Sequence, residues 1–391
     1  MTIGVKYFSF GTATGYALAA LAYIRALHNA GIPVWPLFVG RRDAQGTLPL
    51  GRAIVDDASF ADLPAILQAT AGPIAYDTVI AHMIPDLWGR LDESNKRLIG
   101  YTVWEADALP EHWPAILNKV DRILVPCRFN IELFARSGVT RPVHVVPHIR
   151  RNAWGGSGHE DGAALRQRFG IPPDHFVFYT IGVWDPRKAV EELIDVFARE
   201  FSAEERVTLL VKTSSKVNHA PKVDSAESIQ DRVARIVGAA RQASGRRTAN
   251  IVLIAADDIS GGAINAIHAA GDAYVSLTHG EGWALGPFDA ATLGKPVVIT
   301  GWGGHLDYLG DYYPGLVRHE MAPITGWRPL PRYRPTQRWA VADRRHAAEL
   351  LRAVAGRASA FAEAAASVRR QIAERYEETV VVRQLIEAID S

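Results

Sequence analysis

The pattern that most constrains how this chain can fold is an alternation of short β-branched runs with longer stretches of helical periodicity. This alternation is typical of parallel β-sheets covered by helices. In the first half we expect strands at residues 3–8, 34–39, 78–81, 98–103, 123–126 and 143–147, and a helix at 16–30. In the second half we expect strands at residues 176–182, 207–212, 251–254, 273–277 and 296–300, and helices at 190–200, 228–243, 261–270 and 287–293. From residue 340 onward alanine, arginine, leucine and glutamate predominate, so we expect helix nearly to the end.

The alternation of strands and helices is interrupted at residues 148–163, which divides the chain into two parts. The segment reads HIRRNAWGGSGHEDGA, and its glycines and mixed charges are typical of a linker or hinge. A length of 391 residues also suits two domains. We therefore expect an α/β protein with two Rossmann-like, doubly wound domains that face each other across a cleft. Because such sheets bind ligands beyond the carboxyl ends of their strands, the cleft is the expected site.

The composition indicates a globular protein and argues against several classes of function. Hydrophobic residues make up 48% of the chain and charged residues 22%, as in ordinary folded proteins. A formal net charge of +1 argues against a nucleic-acid partner, which would require a basic excess. Cys127 is the single cysteine, so an intramolecular disulfide is excluded and a reducing compartment is favoured.

The N-terminal sequence and the hydropathy pattern bear on localisation. The first apolar run lacks the basic start of a signal peptide, and Arg25 interrupts it. No uncharged apolar stretch reaches the roughly 18 residues that a membrane span needs. We therefore expect a cytoplasmic protein, and we leave open a peripheral contact with the inner face of the membrane.

The stretch THGEGWALGPFDAATLGKPVVIT at residues 278–300 places two carboxylates around the start of one helix. Glu281 lies in the turn after a strand, and Asp289 lies within the first turns of the helix. At residues 282–286 the unpaired N–H groups and the positive end of the helix dipole favour an anion such as phosphate. Each carboxylate can then accept hydrogen bonds from sugar hydroxyls on one side of a diphosphate. The alternative is that Asp289 is a helix N-terminal charge and Glu281 an ordinary loop residue.

The run EGWALGPFD, followed by AATLGKPVV, resembles the Glu-x7-Glu signature of the retaining glycosyltransferases of family 4, which have the GT-B fold. The resemblance implies that Glu281 faces the donor sugar and that Asp289 binds the ribose hydroxyls. It also implies that the diphosphate is held by the peptide N–H groups of Gly282, Trp283, Ala284 and Leu285. This chain departs from the signature in having Asp289 instead of glutamate, which shortens the reach to the ribose.

The segment YTIGVWDPRK at residues 179–188 resembles the first strand and turn of the nucleotide-binding domain in that family. Gly182 and Lys188 match the pattern, whereas Val183 stands where an arginine is expected and Ala189 where a glycine is expected. Arg187 is a candidate to supply the missing charge. Fixed cations there would stabilise the leaving diphosphate. The alternative is that Arg187 and Lys188 lie on a solvated turn at the entry to a helix.

Further donor-binding residues are implied around the cleft. Lys212 ends the strand VTLLVK and is a candidate second contact to phosphate or to the acceptor; the alternative is a solvated lysine at a strand end. Asp257 lies in IAADDIS, which follows the next strand and in the family lies near the nucleotide base. Gly11 and Thr12 lie in a loop that resembles the family's phosphate-approaching loop of the N-terminal domain. His82 follows the strand TVIA and matches a histidine that faces the donor sugar, so the resemblance makes it a candidate catalytic residue together with Glu281. The alternative is a structural role, which is more common for a lone loop histidine.

The segment YTVWEADALPEHW at residues 101–113 resembles a subgroup of the family with a Trp-Glu pair after the strand. Trp104 can stack on a sugar ring and Glu105 can accept from hydroxyls, so both are assigned to the acceptor side. Core packing of Trp104 is the alternative. The resemblance further implies an acceptor-side domain at residues 1–160, a nucleotide-sugar-binding domain at 161–370, and a final helix at 371–391 that packs back on the N-terminal domain.

These features together predict a retaining, metal-independent glycosyltransferase. It would move a sugar from a nucleotide diphosphate sugar to a hydroxyl of a glycan or lipid-linked acceptor. We expect no cofactor, no metal site and no nucleic-acid partner. Two alternatives stay open: a GT-B sugar-nucleotide epimerase, and a non-catalytic protein that binds nucleotide sugars.

Overall fold

Two parallel six-stranded sheets form the frame of the molecule. The computed structural model describes residues 3–11, 14–39, 61–91, 93, 95–151, 161–218, 227–325 and 332–391. The N-terminal sheet has the order β2-β1-β3-β4-β5-β6. Its strands are β1 (Val5–Phe10), β2 (Val34–Val39), β3 (Thr78–His82), β4 (Arg97–Tyr101), β5 (Arg122–Val125) and β6 (Val143–Val145). They are flanked by helices α1 (Gly15–Asn29), α2 (Leu63–Ala69), α3 (Trp113–Leu117) and α4 (Arg128–Arg136), and by a 3-10 turn at Pro85–Arg90.

The C-terminal sheet repeats this plan with the order β12-β11-β10-β7-β8-β9. Its strands are β7 (Phe176–Ile181), β8 (Val207–Thr213), β9 (Asn250–Ala255), β10 (Ala273–Ser276), β11 (Val297–Thr300) and β12 (Leu316–Val317). The helices around it are α5 (Gly162–Arg168), α6 (Val190–Glu200), α7 (Ile229–Ser244), α8 (Gly261–Ala270), α9 (Leu285–Thr292) and α10 (Leu306–Leu309), with a 3-10 turn at Pro186–Lys188. The strands expected from the sequence are confirmed to within two residues at each end.

After β12 the chain forms a hairpin that the sequence did not predict. An antiparallel hairpin of β13 (His319–Pro323) and β14 (Arg338–Ala342) precedes the terminal helices, so the expectation of helix from residue 340 is wrong for the first three residues. Helix α11 (Arg344–Ala355) begins only after Asp343, whose carboxylate accepts from the backbone N–H of His346 at 3.0 Å. Helices α12 (Ser359–Arg375) and α13 (Glu378–Asp390) complete the chain.

Helix α13 packs on the N-terminal sheet, as the resemblance implied. Val381 and Leu385 share one hydrophobic cluster with Val5 and with the buried face of α1. Arg25 of α1 pairs with Glu378 at 2.8 Å, and Arg97 donates to the carbonyl of Ile389 at 2.6 Å. By contrast α12, inside which the expected boundary at residue 371 falls, packs against helices α9 and α10 of the C-terminal half. The crossing therefore occurs between α12 and α13.

Replacing Leu385 tests how much this crossing contributes to stability. The side chain is 1% exposed, so Leu385→Ala should lower the free energy of unfolding by about 2–5 kcal/mol. Arg383→Ala, at an exposed position of the same helix, is the matched control and should change it by less than about 0.5 kcal/mol. Urea unfolding measures both. Equal effects of the two substitutions would show that α13 is not held by its apolar face.

Candidate active site

A cavity of about 520 Å³ lies where the two sheets face each other. In each sheet the strand order reverses once, between β1 and β3 and between β7 and β10, and ligands bind beyond the carboxyl ends at such points. The N-terminal half contributes Thr14 and Gly15 after β1 and His82 at the end of β3. The C-terminal half contributes Gly182 after β7 and the turn from Glu281 after β10. The topology thus brings these residues of both halves into one cleft.

Glu281 lies between two cations in this cavity. It is 7% exposed; Lys188 Nζ lies 2.6 Å from Oε1, and Arg187 Nη1 lies 3.3 Å from Oε2. Burial alone raises the pKa of the Glu281 carboxyl, but Lys188 and Arg187 more than offset this and bring the pKa to about 2. The carboxylate is therefore ionised at neutral pH and both of its oxygens are engaged. The alternative that Arg187 and Lys188 lie on a solvated turn does not fit these contacts.

The start of α9 lies directly after Glu281 and faces the same cavity. Ala284 adopts a left-handed conformation with φ of 69°, which turns the chain into the helix at Leu285, two residues earlier than expected. Pro287 occupies the first turn, where its missing N–H has no helical partner to lose. The first N–H groups of the helix have no acceptor within the helix. Residues 282–285 line the cavity, and an anion site there stays a prediction.

Gly282 marks the closest approach of the two halves at this turn. A Cβ on Gly282 would lie 1.8 Å from Cγ2 of Val103 in the N-terminal half. Cys127 also reaches across, with its Sγ 3.0 Å from the carbonyl oxygen of Gly282. Only glycine fits without displacing Val103. The turn after β10 is therefore in direct contact with the opposite half of the molecule.

Asp289 lines the cavity but is already bound by an arginine. It is 5% exposed, and Arg151 clamps its carboxylate with two donors, Nε at 3.1 Å and Nη2. Arg151 also lines the cavity. The sequence reasoning missed Arg151 because it lies in the stretch that was interpreted as a linker. Its only signal was the pair of arginines that follows β6.

Two histidines line the N-terminal side of the cavity, and both are neutral. Burial lowers the pKa of His82 well below its ordinary value, and Nδ1 of His82 lies 2.8 Å from the hydroxyl of Tyr7. Burial lowers the pKa of His148 to about 3. Nδ1 of His148 is buried and has no hydrogen-bond partner among the described residues. His148 was not singled out from the sequence, because it opens the same stretch as Arg151.

The remaining donor-side candidates divide between the cavity and its surroundings. Lys212 lines the cavity, and burial lowers its pKa while the charge of Asp257 opposes that shift. Asp257 does not line the cavity. Its exposed carboxylate accepts from the backbone N–H of Ser215 at 3.1 Å, and the next residue, Asp258, takes the cavity position instead. Gly11 follows β1 and lies outside the cavity lining, and Thr12 lies outside the described residues.

The two acceptor-side candidates have different surroundings. Glu105 lines the cavity and pairs with Arg187, whose Nε lies 3.3 Å from Oε1. Trp104 is 2% exposed, donates from Nε1 to the carbonyl of Ala108 at 2.7 Å, and packs its ring against Trp113. The assignment of Trp104 to a sugar-stacking role is therefore wrong, and core packing describes it. Trp283 is nearly as buried, at 3% exposed, but it borders the cavity.

Two further observations concern metals and membranes. Within the described ranges, no group of three or more His, Cys, Asp or Glu side chains is arranged to hold a metal ion. None of the helices in those ranges is both long and apolar enough to cross a membrane.

Comparison with protein-family models gives no match, and comparison with curated proteins gives none either. Solved structures do match over the full chain. A glycosyltransferase from Rickettsia africae ESF-5 has a TM-score of 0.66 at 9% identity, covering 99% of this chain and 97% of the other. Anabaena Alr3699/HepE in complex with UDP and glucose has a TM-score of 0.64 at 16% identity, covering 99% of both chains. Sucrose-phosphate synthase from Thermosynechococcus elongatus has a TM-score of 0.63 at 13% identity, covering 98% of both chains. At such identities the likeness concerns the fold, and this chain has the GT-B fold.

Proposed function

We propose that this chain is a retaining glycosyltransferase that moves a sugar from a nucleotide diphosphate sugar to a hydroxyl of a glycan or lipid-linked acceptor. The observation that carries the proposal is the ionised Glu281, held by Lys188 and Arg187 beside the N-terminus of α9 in the cleft. The matching structures support the choice of substrate class, since the Anabaena protein was solved with UDP and glucose.

Each part of the donor is assigned to the groups of the cavity that match its charge. Its diphosphate fits the N–H groups at residues 282–285, with Lys188 alongside. Its ribose hydroxyls are assigned to Asp289, whose side chain lines the cavity and whose carboxylate is an acceptor of hydrogen bonds. The neutral rings of His82 and His148 offer hydrogen bonds to uncharged sugar hydroxyls without competing for the phosphates.

The low pKa of Glu281 determines its role in the proposed reaction. A carboxylate with a pKa of about 2 is a weak base, so Glu281 orients the sugar and does not take a proton. As the bond between C1 of the sugar and the diphosphate oxygen breaks, the oxygen keeps the electron pair. The acceptor hydroxyl oxygen bonds to C1 on the same face, and its proton passes to a phosphate oxygen of the leaving group.

In this proposal, positively charged groups of the protein stabilise the negative charge on the leaving diphosphate. Lys188 and Arg187 are fixed at the site, and the first N–H groups of α9 add the positive end of the helix dipole. Such groups act without reorganisation at the moment of reaction. The proposed reaction therefore proceeds without a metal ion.

Binding of the donor is the first test. One class of UDP-, GDP- or ADP-sugars should raise the unfolding temperature, because a ligand at about 100 times its Kd stabilises a protein by about 2.7 kcal/mol. A thermal-shift series over the three classes measures this. The same nucleotide without its sugar serves as the comparison. No shift with any nucleotide sugar would refute the proposed function.

Glu281→Gln is the second test, because it keeps the shape of the side chain and removes its charge. We expect kcat for transfer to fall at least about a hundredfold, since the fixed charge that orients the sugar is lost. Glu204→Gln, an exposed position of the C-terminal half, is the control and should keep its rate. A Glu281→Gln enzyme that transfers normally would remove the central assignment. Isomerised nucleotide sugar without acceptor would instead identify an epimerase.

Chelation tests the proposed absence of a metal requirement. Transfer measured with EDTA should match transfer measured without it, because protein cations neutralise the leaving group. The control adds Mg²⁺ back after chelation. A rate that falls with EDTA and recovers with Mg²⁺ would contradict this part of the mechanism.

A further inference from the structure

The hairpin of β13 and β14 reaches from the C-terminal half to the N-terminal half beside the active site. We call residues 332–342 the clasp. The backbone N–H of Asp107 donates to the carbonyl of Arg338 at 3.0 Å, and Nε2 of Gln337 donates to the carbonyl of Ala108 at 2.8 Å. Gln337 is 3% exposed, so this contact is shielded from water. The clasp therefore holds the segment that carries Trp104 and Glu105.

The base of the clasp is fixed to the turn that carries Glu281. The backbone N–H of Ala340 donates to the carbonyl of His279 at 2.9 Å, and Nδ1 of His279 donates back to the carbonyl of Ala340 at 2.8 Å. The rings of Trp339 and His279 stack with centroids 4.6 Å apart. His279 lies two residues before Glu281. One element thus contacts both the acceptor-side segment and the catalytic turn.

Tyr333 of the clasp is connected to the charged residues of the active site through Glu105. Its ring stacks on Trp104 with centroids 4.8 Å apart, and its hydroxyl donates to Oε1 of Glu105 at 2.9 Å. The same oxygen of Glu105 lies 3.3 Å from Nε of Arg187. Arg187 then donates from Nη1 to the carbonyl of Gly280 at 2.6 Å and lies 3.3 Å from Glu281. A continuous chain of polar contacts runs from Tyr333 to Glu281.

The geometry of Arg187 explains why such a chain matters. A guanidinium is planar, so partners on two of its edges fix its orientation. Glu105 binds the Nε edge, while Gly280 and Glu281 bind at Nη1. The side chain is 16% exposed, which leaves little room for another orientation. Without Glu105, one edge of the guanidinium would lose its partner.

The geometry points to Tyr333 and Glu105 as positioning residues that act through Arg187 on Glu281, so that the clasp sets the catalytic geometry across the two halves. This inference rests on the proposed function, because it assigns these residues to the same reaction. Tyr333 and Glu105 need not touch the reacting atoms. Their loss should disturb the rate of the chemical step more than the affinity for the donor.

Tyr333→Phe is the test, since it keeps the ring on Trp104 and removes only the hydroxyl. We expect kcat to fall about tenfold, as for the loss of a hydrogen bond to a charged group, with KM for the donor changed less than about twofold. Tyr312→Phe is the matched control, because Tyr312 is 99% exposed, and it should keep the rate. A wild-type kcat in Tyr333→Phe, or a loss confined to KM, would overturn the inference.

The double variant separates a shared pathway from two independent effects. Glu105→Gln alone should also lower kcat, and Tyr333→Phe combined with Glu105→Gln should be no slower than Glu105→Gln alone, because both act through Arg187. Losses that multiply in the double variant would show that Tyr333 acts by another route, contrary to the inference.

Hydrogen exchange supplies a readout that needs no substrate. Amides at residues 279–282 should exchange faster in Tyr333→Phe than in wild type, and at the wild-type rate in Tyr312→Phe. Unchanged exchange there would overturn the positioning role whatever the activity. If exchange rises but the wild-type protein neither binds nor transfers any nucleotide sugar, the coupling stands and the proposed function fails.

Discussion

The site depends on a buried carboxylate that is compensated by two cations. Removing Glu281 from water would be costly for an isolated charge, and Lys188 and Arg187 make it possible by contacting one oxygen each. These cations come from the turn after β7, whereas Glu281 comes from the turn after β10. Since β7 and β10 are neighbours at the point where the strand order reverses, the parallel sheet itself brings the charges together.

Much of this arrangement follows from the sequence, and the failures have specific physical causes. Buried parallel strands are continuous β-branched runs, so their positions and the turns after them can be predicted locally. The hairpin of β13 and β14 was missed because the alanine- and arginine-rich composition around residue 340 favours helix, while its pairing depends on partners distant in the chain. Trp104 was assigned to the wrong environment because an aromatic residue suits a core and a sugar equally well.

Residues that act through long-range partners were the hardest to foresee. Arg151 and His148 lie in a segment whose glycines indicate a linker, and only the folded chain brings Arg151 to Asp289. This pair also bears on the departure from the family signature. The aspartate is shorter than the expected glutamate, and its clamp by Arg151 fixes the carboxylate at the wall of the cavity. Sequence position alone could not show that contact.

The most direct measurement is a crystal structure of the protein with a bound, intact nucleotide sugar. The account predicts the diphosphate about 3 Å from the backbone nitrogens at the start of α9 and from Nζ of Lys188, with the sugar beside Glu281 and the ribose at Asp289. A nucleotide bound elsewhere, or one whose diphosphate lies away from this helix start, would contradict the central claim.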